Sequence, residues 1–267
     1  MENQSSLQDG GPGIQGAQDL LPEEMGFGQP PGTPMSPRGW ISPYFLTRHL
    51  QRRALRRALA AAPAVGSLID VGCGQKPHRD LFSGITRYQG IDFGRYSINK
   101  DFTAGKPDFE FPSDYTQTWT LPFPDASYDH AAAFEVLEHH PDPARALAQL
   151  ARVVKPGGHV YLSWPFIFPL HEEPHDYFRY THHAMARLAE GAGLEVVGHW
   201  RTGGTVAVVM TLLTGQLAIT NEKGGLQRLL ALAAYPPFLL LQHLMVPFAH
   251  LGGETVLSYV AVLRRPR

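Results

Sequence analysis

The sequence has little that would cross-link it or draw it to a charged surface. Its 267 residues include a single cysteine, Cys73, which excludes an intramolecular disulfide. The formal net charge is -1, so no overall field attracts the chain to nucleic acid. The opening residues, MENQSSLQDGGPGIQ, lack both the basic start and the apolar core of a secretory signal. We therefore expect a cytoplasmic protein.

Apolar periodicity is also missing from the first part of the chain. Residues 1–39 are rich in Gln, Gly, Pro and Ser, and we expect a disordered tail. In 40–64, by contrast, apolar residues recur at a spacing of four: Leu46, Leu50, Ala54 and Ala58. This pattern predicts an amphipathic N-terminal helix that ends at Pro63 and carries arginines on its solvated side, namely Arg48, Arg52, Arg53 and Arg56. Contact of these arginines with a membrane or with RNA is the alternative.

Strands and helices alternate through residues 65–204. Apolar runs predict strands at 67–73, 87–93, 109–111, 128–136, 159–165 and 194–200. Helices are predicted between the first strand and residue 83, at 143–154 and at 182–193, with a turn at 155–158. A last strand is predicted within 252–267. Such alternation predicts an α/β fold with a doubly wound, mostly parallel, Rossmann-like sheet.

One apolar segment, residues 205–251, precedes the last strand. Its first part, VAVVMTLLTGQLAI, is too short to span a bilayer. Its second part is longer, but Pro236 and Pro237 are expected to break it. We predict a helical insertion that caps the sheet or lines a substrate pocket. Peripheral contact with a membrane is the alternative.

The stretch LIDVGCGQKPHRDLF, residues 68–82, carries a nucleotide-site motif without its last glycine. The three glycine positions of G-x-G-x-x-G are occupied by Gly72, Gly74 and Pro77. The glycines let backbone approach a ligand, and Asp92 stands where a carboxylate binds ribose hydroxyls. A dinucleotide needs the third glycine where the helix meets the pyrophosphate, so Pro77 disfavours a nicotinamide-dependent dehydrogenase. The motif suits a ligand that has a ribose and no phosphate.

Further segments follow LIDVGCG in a characteristic order: YQGIDF, then LPFPDASYDHAAAFEVLEHHPDP, then KPGGHVYLSWPF. Together they resemble the class I S-adenosylmethionine-dependent methyltransferases, and in particular the methyltransferase type 11 family, over roughly residues 67–200. The resemblance implies S-adenosylmethionine as cofactor and a sheet whose last strand is antiparallel. The sequence is therefore expected to encode a methyltransferase.

The resemblance also implies which residues bind the cofactor: Asp70, Gly72, Gly74, Asp92, Phe134 and Glu135. The first three lie along its methionine part, Asp92 takes the ribose, and the last two begin the segment that passes the sulfonium. The family usually places an acid four positions before the Leu of LPF to meet the adenine. Here Gln117 stands at that position, with Asp114 three residues earlier, so the adenine contact is left unassigned.

The loop PFIFPLHEEPHDYFRYT, residues 165–181, supplies the catalytic candidates His171, His175 and Asp176. A neutral imidazole suits removal of a proton from an acceptor hydroxyl. The same three residues offer ligands to a metal, but their spacing matches no strong template, and no metal is expected. The loop is similar to that of type 11 relatives in bacterial glycan and cell-surface biosynthesis. We expect methylation of a hydroxyl oxygen on a small-molecule, glycan or lipid-linked acceptor.

Two other functions stay open. An RNA methyltransferase is disfavoured, because the Asn/Asp-Pro-Pro-aromatic signature of adenine N-methylation is replaced after the fourth strand by Phe134, Glu135, Val136 and Leu137. A non-catalytic member of the fold, which binds the cofactor or a partner as a regulatory module, would have the same motifs.

Overall fold

Seven strands form one sheet in the computed structural model, which describes residue 42 and residues 44–92, 107–111, 120–222 and 225–267. The strands are β1 (Gly66–Val71), β2 (Ile85–Asp92), β3 (Phe109–Glu110), β4 (Tyr128–Phe134), β5 (Val154–Pro165), β6 (Glu195–Thr202) and β7 (Ser258–Arg264). They lie in the order β3-β2-β1-β4-β5-β7-β6. The predicted tail 1–39, Asp114 and Gln117 lie outside the described residues.

Within the described residues, five α-helices accompany the sheet: α1 (Phe45–Ala61), α2 (Pro143–Val153), α3 (His182–Gly191), α4 (Thr205–Glu222) and α5 (Gly225–Leu244). Helix α2 begins where the Asp142 side chain accepts a hydrogen bond from the backbone N–H of Arg145, and Pro143 occupies its first turn. Thr181 caps α3 in the same way through Ala184. Both starts follow the capping residues that the sequence provides.

The sheet is parallel except at β7, which pairs antiparallel with β5 and with β6. Two apolar clusters cover its faces. One joins Leu147 and Leu150 of α2 to Val160 of the sheet, and the other joins Leu55 and Ala58 of α1 to Tyr161 of the sheet. The doubly wound fold and the antiparallel last strand are therefore confirmed. In this arrangement β1, β2 and β4 end at one edge of the sheet, where open α/β folds bind ligands.

The helix predicted after β1 is wrong. Residues 72–84 instead run through turns and one short 3₁₀ segment, Arg79–Leu81. Gly72, Gly74 and Lys76 all have positive φ values, of 66°, 47° and 55°, and Pro77 lacks an N–H. A helix cannot start through such backbone. The side of the sheet that this helix would cover is covered by α1.

Three smaller expectations also need correction. Arg52 of α1 is buried with 4% exposure rather than solvated. Residues 155–158 lie within β5 as an irregularity of the strand, rather than as a separate turn. Pro236 and Pro237 do not break the second apolar segment, because α5 continues through both.

The insertion 205–251 forms α4, α5 and a short 3₁₀ segment, Val246–Phe248. Within the described residues, no helix is long and apolar enough to cross a membrane, and this includes α4 and α5. Several of its apolar side chains are exposed: Val209, Leu212, Leu213, Leu240, Leu244, Phe248 and Leu251. Peripheral membrane contact through this segment stays a prediction.

Candidate active site

The turn after β1 is held by the neighbouring strand. The backbone N–H groups of Gly72 and Cys73 both donate to the carbonyl of Ile91, at 2.9 and 3.3 Å. A Cβ on Gly72 would overlap the Val136 side chain, so this position requires glycine for space as well as for its positive φ. A Cβ on Gly74 would meet nothing within 4 Å. Gly74 therefore faces open space, as expected of backbone that lies against a ligand.

Asp92 ends β2 directly beside this turn. Its Oδ2 atom accepts a hydrogen bond from the backbone N–H of Gly74 at 2.5 Å. The loop is further fixed by Asp108, which accepts from the Lys76 ammonium at 2.8 Å and from the Gly90 N–H at 2.6 Å. Gly72, Gly74 and Asp92 are thus brought together as predicted.

Asp70 lies beneath the turn rather than on its surface. It is 2% exposed, and its Oδ2 accepts a hydrogen bond from the Tyr88 hydroxyl at 2.5 Å. Burial raises the pKa of this carboxyl to about 7, although the Tyr88 hydrogen bond acts in the opposite direction. Its contact with a ligand stays a prediction. Sequence reasoning missed Tyr88, which carries no motif signal.

Glu135 follows β4 in a left-handed backbone conformation, with φ at 55°. Its Oε1 accepts hydrogen bonds from Gln51 Nε2 and Ser163 Oγ, each at 2.7 Å. Burial raises the pKa of Glu135 to about 7, and these two hydrogen bonds counteract the rise. Phe134, one residue earlier, packs edge-on against His78 with 4.7 Å between ring centroids. The structure thus assigns Gln51 and Ser163 to the site, and sequence reasoning missed both.

Helix α1 also reaches the ligand loop. The Arg52 guanidinium donates to the Pro77 carbonyl at 2.9 Å and pairs with Asp80 through two hydrogen bonds, at 3.1 and 2.5 Å. The helix thereby fixes the part of the loop that follows Lys76. These contacts require that the Arg52 side chain face the protein interior, whereas the periodicity of the sequence predicted that it faces solvent.

A family model described as a methyltransferase domain, Methyltransf_23, matches residues 45–199, more than half of the chain. The match includes α1 and every element of the site described above. The chain belongs to the class I S-adenosylmethionine-dependent methyltransferases. It is an enzyme of that class, and S-adenosylmethionine is its cofactor.

Curated relatives agree with this membership. A ubiquinone biosynthesis O-methyltransferase from Thiobacillus denitrificans is 32% identical over 165 residues, which cover 53% of this chain and 70% of the relative. A 27-O-demethylrifamycin SV methyltransferase from Amycolatopsis mediterranei is 33% identical over 101 residues, which cover 36% of this chain and 37% of the relative. An O-methyltransferase from Penicillium expansum is 33% identical, and the match covers 39% of its length. The matches thus span less than two thirds of two of these three relatives.

Solved structures show the same fold. A complex of the Haloferax volcanii Trm112 methyltransferase activator with a putative methyltransferase superposes with a TM-score of 0.52 at 20% identity, and covers 84% of this chain and 94% of that one. The [4+2]-cyclase SpnF superposes with a TM-score of 0.53 at 16% identity, and covers 82% of this chain and 83% of that one. At these identities the likeness concerns the fold alone.

In this methyltransferase the loop 165–181 packs on the segment that leaves β4. The backbone N–H groups of Tyr177 and Phe178 donate to the Glu138 carbonyl, at 2.8 and 3.3 Å. The Tyr180 hydroxyl donates to the Leu137 carbonyl at 2.9 Å. These contacts place the predicted catalytic loop next to the segment expected to pass the sulfonium.

The structure gives the three catalytic candidates different surroundings. Asp176 is gripped by the Arg179 guanidinium through Nη1–Oδ1 and Nη2–Oδ2 contacts of 2.5 and 2.6 Å. Although burial acts to raise the pKa of Asp176, the Arg179 hydrogen bonds hold it below its ordinary value. His175 lies with Nδ1 3.0 Å from the Tyr177 hydroxyl. Burial lowers the pKa of both His171 and His175, so each is neutral at pH 7.

These contacts distinguish an anchor from the two candidate bases. Asp176 is ionised, and its carboxylate accepts two hydrogen bonds from Arg179. It is therefore suited to holding the loop and not to accepting a proton. Neutral His171 and His175 remain suited to the role of base. A further residue near His171, Glu138, is fully buried; the sequence places it at the edge of the crevice but indicates no role for it.

Proposed function

We propose that this methyltransferase transfers the methyl group of S-adenosylmethionine to a hydroxyl oxygen of a small-molecule acceptor. Relatives of about one-third identity support oxygen as the acceptor atom, since three of them are O-methyltransferases by name. The names of the ubiquinone and rifamycin enzymes concern small molecules. None of these names refers to a glycan, a lipid-linked acceptor or RNA.

The observation that carries the proposal is the contact between loop 165–181 and the segment that follows β4. It brings His171 and His175 next to His139 in the segment that follows β4, and this supports our proposal that the segment passes the sulfonium. An acceptor between this loop and the cofactor would be enclosed by aromatic side chains from the same loop, Tyr177 and Phe178. Exclusion of water and alignment are the main contributions that such a site makes to methyl transfer.

The chemistry is a direct displacement. The acceptor oxygen attacks the sulfonium methyl carbon in line, and a C–O bond forms as the C–S bond breaks. The electron pair of the C–S bond stays on sulfur, which becomes the neutral thioether of S-adenosylhomocysteine. The hydroxyl proton passes to His171 or His175. Orientation contributes about 7–11 kcal/mol to such reactions, and a general base contributes about a hundredfold or more in rate.

Calorimetric titration with S-adenosylmethionine tests the cofactor site. We expect the wild-type protein to bind, and Asp92→Ala to bind at least about 100-fold more weakly, because it loses both the ribose acceptor and the acceptor for the Gly74 N–H. Glu195→Ala is the matched control, since this acid at the start of β6 pairs with Arg264 on the far side of the sheet. Equal binding by Asp92→Ala and Glu195→Ala would contradict the site assignment.

Methyl transfer itself is tested with methyl-labelled cofactor and a panel of acceptors, with products identified by mass spectrometry. Label in a phenol or an alcohol supports the proposal. Label in a glycan, a lipid-linked acceptor or RNA would overturn the acceptor class. Cofactor binding without transfer to any acceptor would instead support the non-catalytic alternative.

A further inference from the structure

Three side chains that can act as metal ligands lie together where loop 165–181 packs on the segment that follows β4. Glu138, His139 and His171 each offer one ligand atom, and these atoms all lie within 4.8 Å of one another. The His139 and His171 rings are 4.8 Å apart between centroids and nearly perpendicular. This trio differs from the one that the sequence suggested, because Glu138 and His139 replace His175 and Asp176.

Glu138 is the unusual member of the trio. Its side chain is completely buried, and neither carboxylate oxygen has a hydrogen-bond partner within the described part of the chain. The nearest cationic candidate, His139 Nε2, lies 3.7 Å from Oε1, beyond hydrogen-bond distance. A buried carboxylate without partners is costly, and coordination of a cation removes that cost.

Both histidines have hydrogen-bond acceptors at Nδ1, which leaves the Nε2 lone pair for coordination. His139 Nδ1 lies 3.0 Å from the His175 carbonyl, which fixes Nδ1 as the donor and leaves the Nε2 lone pair directed at the carboxylates of Glu138 and Glu172. His171 Nδ1 lies 3.2 Å from both the Pro169 carbonyl and Asp176 Oδ2, and these two acceptors favour a proton on Nδ1, which leaves the lone pair on Nε2.

Arg179 in turn fixes Asp176, and its own contact with His171 Nδ1 is longer, at 3.5 Å. Carbonyl and carboxylate partners on the inner nitrogen are the usual outer shell of metal-bound histidine. By binding Asp176, Arg179 thus holds an outer-shell partner of His171 in place as well as anchoring the loop.

We propose that Glu138, His139 and His171 bind one divalent cation of the Mn²⁺, Co²⁺ or Zn²⁺ type. Two imidazoles and one carboxylate on one side of an ion leave its other positions open for a substrate oxygen. The catalytic role of this cation rests on the proposed function. A coordinated acceptor hydroxyl would lose its proton more readily; with His171 as a ligand, the proton would pass to His175, the other candidate base, while the oxygen attacks the methyl group.

Metal binding is tested on tag-free protein that has been treated with chelator and then desalted. Titration with Co²⁺ should give one equivalent bound and visible d–d absorption, and Zn²⁺ should displace it. His171→Ala and Glu138→Gln should each weaken binding by more than about 100-fold, whereas Asp176→Asn, which changes only the outer shell, should weaken it by about 10- to 100-fold. Circular dichroism verifies that each variant is folded.

His183→Asn is the matched control, because His182, His183 and His199 form a second histidine cluster that shares no member with the trio. Loss of cobalt binding in His183→Asn, with retention in His171→Ala, would overturn the proposal and assign the metal to that surface cluster. Retention of full binding in all variants would overturn it as well.

The failures of the two proposals are distinguishable. If the chelated protein still binds S-adenosylmethionine and methylates an acceptor at an unchanged rate, the metal proposal fails and the proposed function stands. If the protein binds cobalt through the trio but does not bind S-adenosylmethionine, the proposed function fails and the metal site stands.

Discussion

The backbone N–H of Gly74 donates to the carboxylate of Asp92, with 2.5 Å between nitrogen and Oδ2. One acid therefore fixes the turn that the cofactor lies against and also stands at the position expected to bind its ribose. The turn and the end of β2 form one unit. Substitution of either Gly74 or Asp92 is expected to lower cofactor affinity more than it lowers the stability of the fold.

The two glycines of the turn should respond differently to alanine. Gly72→Ala adds a Cβ that overlaps Val136 at a positive φ, so we expect the free energy of unfolding to fall by about 2 kcal/mol or more. Gly74→Ala meets open space and should cost about 1 kcal/mol for its φ alone. Its added methyl group occupies the cofactor's side, so its affinity for S-adenosylmethionine should drop at least tenfold. Urea unfolding and calorimetry measure both quantities. Equal stabilities would contradict this assignment.

Replacement of Arg52 by alanine should weaken both folding and cofactor binding. The change removes a buried guanidinium that bonds the Pro77 carbonyl and Asp80, and we expect a loss of about 1–2 kcal/mol in unfolding free energy. Arg53→Ala is the control, since Arg53 is exposed on the same helix and should change stability by less than about 0.5 kcal/mol. Thermal unfolding with and without S-adenosylmethionine compares the two. A similar effect of both variants would indicate that charge alone matters.

The buried Asp70 should make stability depend on pH. Its pKa is raised in the folded state to about 7, above an unfolded value of roughly 3.9, so the folded protein holds the proton more tightly. The resulting stabilisation is present at low pH and is lost as pH rises through 7. Relative to Asp70→Asn, the wild type should lose about 2 kcal/mol of unfolding free energy between pH 5 and pH 8. Parallel pH profiles in urea unfolding would refute the raised pKa.

Tyr180→Phe tests the docking of the catalytic loop. The variant loses the hydrogen bond from the hydroxyl to the Leu137 carbonyl, and should lose about 1 kcal/mol of stability. We expect KM for the acceptor to rise while the affinity for S-adenosylmethionine is unchanged. Tyr128→Phe is the control, since it removes one tyrosine hydrogen bond, to Gln89, away from the loop. A rise in KM in the control as well would attribute the effect to general destabilisation.

The fold could be predicted from sequence because its determinants are local. Apolar runs such as AAAF in β4 and the capped, periodic pattern of α2 specify their elements without tertiary information. The glycine turn could be located for the same reason. The helix expected after β1 from the alternation of elements did not form, because Gly72, Gly74 and Lys76 take positive φ values that a right-handed helix excludes.

The remaining site residues depend on tertiary contacts that no pattern shows. Gln51 and Ser163 are 112 positions apart and meet at Glu135 only because α1 packs across the sheet. Arg52 is one of several arginines in α1, and only packing distinguishes it from Arg53. Glu138 was visible in the run LEHH, but its lack of a partner is a property of the folded chain.

Helix α1 touches nearly every part of the molecule that the chemistry needs. Its start meets the insertion, where the rings of Phe45 and His243 stack 3.9 Å apart, and its middle holds the ligand loop and Glu135 through Arg52 and Gln51. The recognisable motifs begin only at residue 67, yet a fragment trimmed to them would expose Tyr161 and the face of the sheet around it. The smallest active version of this enzyme is therefore expected to include all of α1.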